Sequence, residues 1–105
     1  MKHKKRTKLA EWQLRAKSGN EKCKCGETRN LNVDHIVPVS ILSQFIVDRD
    51  YLLYEMEENF EIVCRYCNHM KADRLDPKNP KTYLILERAI NRTKDYYFPL
   101  MNDHA

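Results

Sequence analysis

The residues of this chain with the richest chemistry fall into two interleaved sets. Four cysteines stand in two tight pairs, Cys23/Cys25 and Cys64/Cys67, about forty residues apart. Two chelating pairs can converge on one tetrahedral ion, and thiolates at such short spacings favour zinc. Disulfides are the competing reading. With no secretory signal in the sequence, a reducing compartment is expected, and there paired thiols take metal rather than oxidise. Cys23-Lys24-Cys25 has one intervening residue where zinc knuckles usually have two or more, so its loop must be tight. Four sulfur ligands leave no coordination position open. This zinc is therefore expected to be structural, contributing on the order of 10 kcal/mol to folding.

The second set begins between the pairs. Residues 31 to 37 read LNVDHIV, an apolar run interrupted by Asp34 and His35 and stopped by Pro38. Burying two ionisable groups in a strand costs more than valine or isoleucine would gain there, unless a cation, a phosphate or further hydrogen bonds satisfy them. A lone strand histidine is more often a satisfied core residue, but His35 stands in a longer pattern. Val33 follows Cys25 at a step of eight; then come Asp34-His35-Ile36-x-Pro38, and then Asn59, five residues before Cys64-x-x-Cys67-Asn68-x-x-Lys71.

That pattern resembles the zinc-bound branch of the HNH endonuclease family over roughly residues 23 to 71, about half of the chain. The resemblance implies an α+β fold with a small ββα-metal core, two antiparallel strands and a helix clasping one divalent cation, beside a four-cysteine structural zinc site and flanking helices. It implies metal-dependent hydrolysis of DNA phosphodiester bonds, with His35 as general base, the one side chain whose ordinary pKa lies near neutrality. Asp34 and Asn68 would hold the catalytic ion. Asn68 stands where the family's third letter falls, making the set His-Asn-Asn, and its oxygen-only donors favour Mg²⁺ or Mn²⁺. His69 is the rival ligand, but on a helix it points about 100° away from Asn68. Asn59 would fasten the loop that carries His35, and Lys71 would reach a phosphate. The implied partner is double-stranded DNA, nicked or cut by a free-standing enzyme of phage or mobile-element type, with a second copy or a phage DNA-packaging machine as further candidates. A different class of reading is a zinc-stabilised nucleic-acid-binding module without catalysis.

The charge distribution suits a polyanion partner. Residues 1 to 30 hold ten Lys/Arg against three Asp/Glu, residues 31 to 60 one against six, and residues 61 to 105 eight against six, within a net charge of +4. Lys4, Lys5 and Arg6 in the basic arm, and Arg88 and Arg92 on the last helix, are the candidate DNA contacts besides Lys71. No run of about 18 apolar residues exists, so no membrane span is expected and the cytoplasm, that of a bacterial host for a phage protein, is the expected location.

The elements that must position these groups follow from periodicity and punctuation. At 105 residues one domain is expected: a basic arm and helix over 1–20, a zinc-bound core over 21–75, and a C-terminal helix and tail over 76–105. Thr7 caps a helix over 8–17. Strands are expected at 31–37 and 59–64, a long helix over 41–57 that Asp48-Arg49-Asp50 could interrupt, and a short helix over 67–75. Asn79 and Pro80 open a last helix over 81–96.

Overall fold

The computed structural model describes residues 5–102, with side chains for residues 5–93. Lys4, one of the expected DNA contacts, lies outside the described residues. The first helix, α1 (Lys8–Ala16), starts where Thr7 leaves helical geometry and its hydroxyl accepts from the Ala10 N–H at 3.1 Å. Two strands follow, β1 (Leu31–His35) and β2 (Phe60–Cys64), paired antiparallel with Leu31 opposite Cys64 and His35 opposite Phe60. That register puts Asp34 directly across from Glu61. Residues opposite one another in such a pair share a face of the sheet, so two carboxylates meet there.

The connection between the strands departs from the helix expected over 41–57. Instead, α2 is a single turn (Val39–Leu42) opened by Pro38, followed by a five-residue π-type turn at Tyr51–Glu55 and a 3-10 turn at Glu57–Asn59. Asp48 supplies the physical reason: its carboxylate accepts from the Tyr51 N–H at 3.1 Å, an alternative to helical backbone bonding that breaks the segment and starts a new turn. Of the residues spaced for one helix face, Leu42, Ile46 and Met56 are still buried, Phe45 and Leu53 are half-buried and Arg49 is exposed. Leu42, Ile46 and Met56, with Leu52, join Ile36, Val37, Ile85 and Ala89 in the main core cluster.

Helix α3 (Arg65–Lys71) begins two residues before the expected start, because Cys64 itself caps it: the sulfur accepts from the Cys67 N–H at 3.4 Å. It ends at Ala72, whose φ of 49° leaves the right-handed region, well short of Asp76-Pro77. Helix α4 (Pro80–Asn102) opens as the Asn79-Pro80 pair predicts, with the Asn79 side chain accepting from the Lys81 N–H at 3.0 Å. Ile85 and Ala89 on its buried face pin it to the segment between the strands, and the buried Thr82 hydroxyl donates to the Asp76 carbonyl at 2.7 Å. A second, smaller cluster of Ala16, Cys23, Leu31, Val63 and Cys64 surrounds the cysteines. The architecture is therefore a small mixed α+β domain with a two-stranded sheet between two modest cores.

Candidate functional site

The four cysteines are brought together. Their sulfurs all lie within 4.8 Å of one another, none is in a disulfide, and the Cys25–Cys64 separation is 3.7 Å. A tetrahedron with metal–sulfur bonds of about 2.3 Å has edges near this length, so one metal ion such as zinc fits between the four thiolates. The short Cys23-Lys24-Cys25 loop is closed by backbone bonds from Gly26 N–H to the Cys23 carbonyl and from Cys23 N–H to the Glu27 carbonyl, both 2.8 Å. Gly26 takes φ +95°, which only glycine adopts without strain, and this lets one intervening residue suffice. The other pair is held by the end of β2 and the first turn of α3. Without metal the thiols share protons unequally. Cys23 is held down to about 7: burial opposes its charge, but N–H donors of Cys25 and Cys64 outweigh it. Cys67 is pushed up to about 12, first by its hydrogen bond to Cys64.

The second constellation sits at the end of β1, where Asp34, His35, Leu53 and Lys71 line a cleft of about 310 Å³. Neighbouring strand residues face opposite ways, yet both Asp34 and His35 border this cleft because His35 is the last residue of the strand and the chain bends there. The His35 Nε2 lies 3.1 Å from the Leu53 carbonyl oxygen. Its ring packs edge-on against Phe60, which meets Trp12 of α1 in the same way at 5.8 Å. The π-type turn is what carries the Leu53 carbonyl to the imidazole.

Asn59 is fully buried, and its side chain is bonded at both ends to one residue: Oδ1 accepts from the Val37 N–H at 2.8 Å and Nδ2 donates to the Val37 carbonyl at 2.9 Å. Its own carbonyl accepts from the Ile36 N–H at 2.8 Å. These three bonds hold the two residues that follow His35. Lys71, expected to meet phosphate, is 9% exposed; it donates to the His35 carbonyl at 2.9 Å and lies 3.2 Å from Asp34 Oδ2. It braces the strand end and neutralises Asp34 rather than facing solvent. Asp34 Oδ2 is buried and, apart from this ion pair, has no hydrogen-bond partner among the described residues. A buried oxygen in that condition suits a cation.

Asn68 is placed elsewhere. With His69 it lines a second, larger cleft of about 960 Å³, together with Cys25 and Arg65, so the structure does not bring Asp34 and Asn68 into one cavity. Arg88 and Arg92 are exposed but meet other groups of the chain: Arg88 donates to Glu58 at 2.8 Å, and Arg92 stacks over the Tyr51 ring at 5.0 Å. Both fasten α4 to the segment between the strands. Lys5 and Arg6 are exposed. The residue that sequence reasoning missed is Glu61, whose Oε2 is the other buried oxygen without a partner. Burial raises its pKa, with the facing carboxylates of Asp34 and Asp76 adding to the rise and Lys24 and Lys71 opposing it. Only the cross-strand register reveals it; no local motif marks it.

No protein-family model, curated protein or solved structure matches this chain. No helix among the described residues is long and apolar enough to cross a membrane.

Proposed function

We propose that the chain is a divalent-metal-dependent DNA endonuclease of the HNH type, its ββα-metal site held in place by structural zinc at Cys23, Cys25, Cys64 and Cys67. The observation that carries this reading is the His35–Leu53 bond. A carbonyl oxygen only accepts, so Nε2 of the neutral ring carries the proton and Nδ1 is left as the acceptor. An imidazole fixed in that tautomer is prepared to take a proton from water, the first requirement of phosphodiester hydrolysis. Asn59 and Lys71 hold the backbone that leads out of that residue, from the His35 carbonyl through Val37.

Asp34, whose buried Oδ2 meets only the Lys71 ammonium, is the residue that would hold a divalent ion, and Mg²⁺ or Mn²⁺ suits an oxygen donor. When bound, the ion supplies positive charge for the phosphate and leaving oxygen. Lys71 supplies one further positive charge beside the same carboxylate. A second reading, a zinc-stabilised module that binds nucleic acid without cutting it, is favoured by the separation of Asn68 from the Asp34 cleft.

The deciding experiment is cleavage of supercoiled plasmid with Mg²⁺ or Mn²⁺ by the wild type and by His35→Ala. Nicked or linear product from the wild type alone, with the variant still folded and still binding DNA, is the expected result. Equal cleavage by both removes His35 as base. DNA binding without cleavage in any divalent ion selects the second reading.

A further inference from the structure

We propose that the larger cleft, on the outward side of α3, is the surface that grips the DNA backbone, with Arg29 and Arg65 as its phosphate contacts and Tyr66 and His69 beside them. The proposal deepens the endonuclease reading and rests on it for the identity of the polyanion. Its first support is the fate of the cations expected from sequence. Lys71 is held against Asp34, while Arg88 and Arg92, though exposed, are each engaged by another group of the chain, Glu58 and the Tyr51 ring. Arg65, by contrast, is exposed with no carboxylate partner among the described residues, and Arg29 makes only a 3.4 Å contact to Glu27 while its side chain is 84% exposed.

The helix geometry supplies the second support. At about 100° per residue, Arg65, His69, Tyr66 and Met70 fall on one half of α3, and Cys67, Asn68 and Lys71 on the other. All four of the first group are exposed, Tyr66 at 70%, while in the second group Cys67 belongs to the cysteine cluster, Lys71 pairs with Asp34, and the half-buried Asn68 borders the cleft. A seven-residue helix with an arginine, a histidine and an aromatic ring turned to solvent, and none of them packed into a core cluster, is a contact face. The only carboxylate in the cleft lining, Glu27, is turned back on its own loop, accepting from the Thr28 and Arg29 N–H groups at 2.9 Å each.

Charge and shape together select a phosphate backbone. Arginine forks match phosphate oxygens in pairs of hydrogen bonds, and an exposed tyrosine offers a flat ring to a sugar or an unstacked base. The position also fits the chemistry, because Asn68 borders this cleft while Lys71, three residues on and about 4.5 Å further along the axis, borders the His35 cleft. A strand lying across α3 would touch both.

The test is equilibrium binding of a fluorescent duplex of about 20 base pairs to the zinc-loaded protein, without added Mg²⁺ or Mn²⁺, over a series of salt concentrations. Arg29→Ala/Arg65→Ala should weaken binding at least about tenfold and reduce the slope of log K against log salt by about 1.8, which is ~0.9 for each phosphate no longer neutralised. Arg29→Lys/Arg65→Lys should keep most of the slope while binding more weakly, because the charge remains and the fork does not. Arg88→Ala should change neither. Unchanged affinity and slope in the double-alanine variant would overturn the proposal. So would loss of binding that merely tracks loss of zinc, which would assign the arginines to offsetting thiolate charge, or equal competition by polyglutamate, which would point to an acidic protein. Plasmid cleavage scored in parallel separates the two readings: a double-alanine variant that binds normally beside a wild type that cuts sinks only the cleft. A wild type that never cuts, but releases DNA when the two arginines are removed, sinks only the nuclease.

Discussion

Replacing Asn59 by alanine should be among the most damaging changes to this fold outside the cysteines, although the residue touches neither cluster of candidate ligands. The side chain is fully buried and satisfies both the N–H and the carbonyl of Val37, at 2.8 and 2.9 Å. Truncation leaves two buried backbone groups without partners, each costing about 1–3 kcal/mol, so the expected loss is roughly 2–6 kcal/mol before any cavity is counted. Against a total stability of about 5–15 kcal/mol for a domain of this size, that is a large fraction. Asn59→Asp separates the two bonds. Its carboxylate still accepts from the Val37 N–H but sets an oxygen against the Val37 carbonyl, so it should also destabilise at neutral pH. The Ile36–Asn59 backbone bond survives in both variants. Urea unfolding followed through Trp12, which packs on Phe60 next to Asn59 in the chain, measures the loss at matched zinc content. An Asn59→Ala protein within about 0.5 kcal/mol of wild type would refute the reasoning, because an unsatisfied buried pair cannot be that cheap.

Further outcomes follow from other parts of the structure. About one tightly held zinc per chain should survive dialysis, and Cys64→Ala should unfold the domain, since that sulfur is at once candidate ligand, helix cap and part of a core cluster; a soluble, fully folded variant by circular dichroism would count against the scaffold role. Metal release should follow acidification, because the four thiols must lose protons to bind; a chromophoric zinc indicator read over a descending pH series should show release and unfolding together. Gly26→Ala should cost about 1–2 kcal/mol from backbone strain alone, as nothing lies within 4 Å of the added carbon, and thermal melts check it. The raised Glu61 pKa means that the folded state binds this proton more tightly than the unfolded chain. Stability from that group therefore grows as pH falls through the folded pKa toward the unfolded value, and neutral pH bears the full cost. Glu61→Gln should accordingly raise stability at pH 7 by about 0.2–1 kcal/mol and flatten the acid-side gain in melts without added divalent ions.

What the amino-acid order determined by itself was local and chemical. The two cysteine pairs, the Thr7 and Asn79 caps, the Asp34-His35 strand and the asparagine before the second strand are read from residue type and short spacing, and each sits in the structure on or within a few residues of the expected element. The segment from 41 to 57 shows where that ends. Of the residues at its three- and four-residue spacing, Leu42, Ile46 and Met56 are buried, Phe45 and Leu53 half-buried and Arg49 exposed, and the Asp48 side chain interrupts the helix that the same spacing implied.

Tertiary structure decided the partners. Which groups Lys71, Arg88 and Arg92 meet depends on which elements fold against them, and residues such as Glu58 and Tyr51 lie thirty or more positions away along the chain. The meeting of Glu61 with Asp34 depends on strand register, and the Leu53 carbonyl reaches His35 only because the chain winds into a wider turn. The physical reason is one of range. Caps, turns and chelating pairs draw their energy from neighbours a few residues off, whereas burial, ion pairing and the division of α3 into an inward and an outward face arise only when distant segments exclude water from one another.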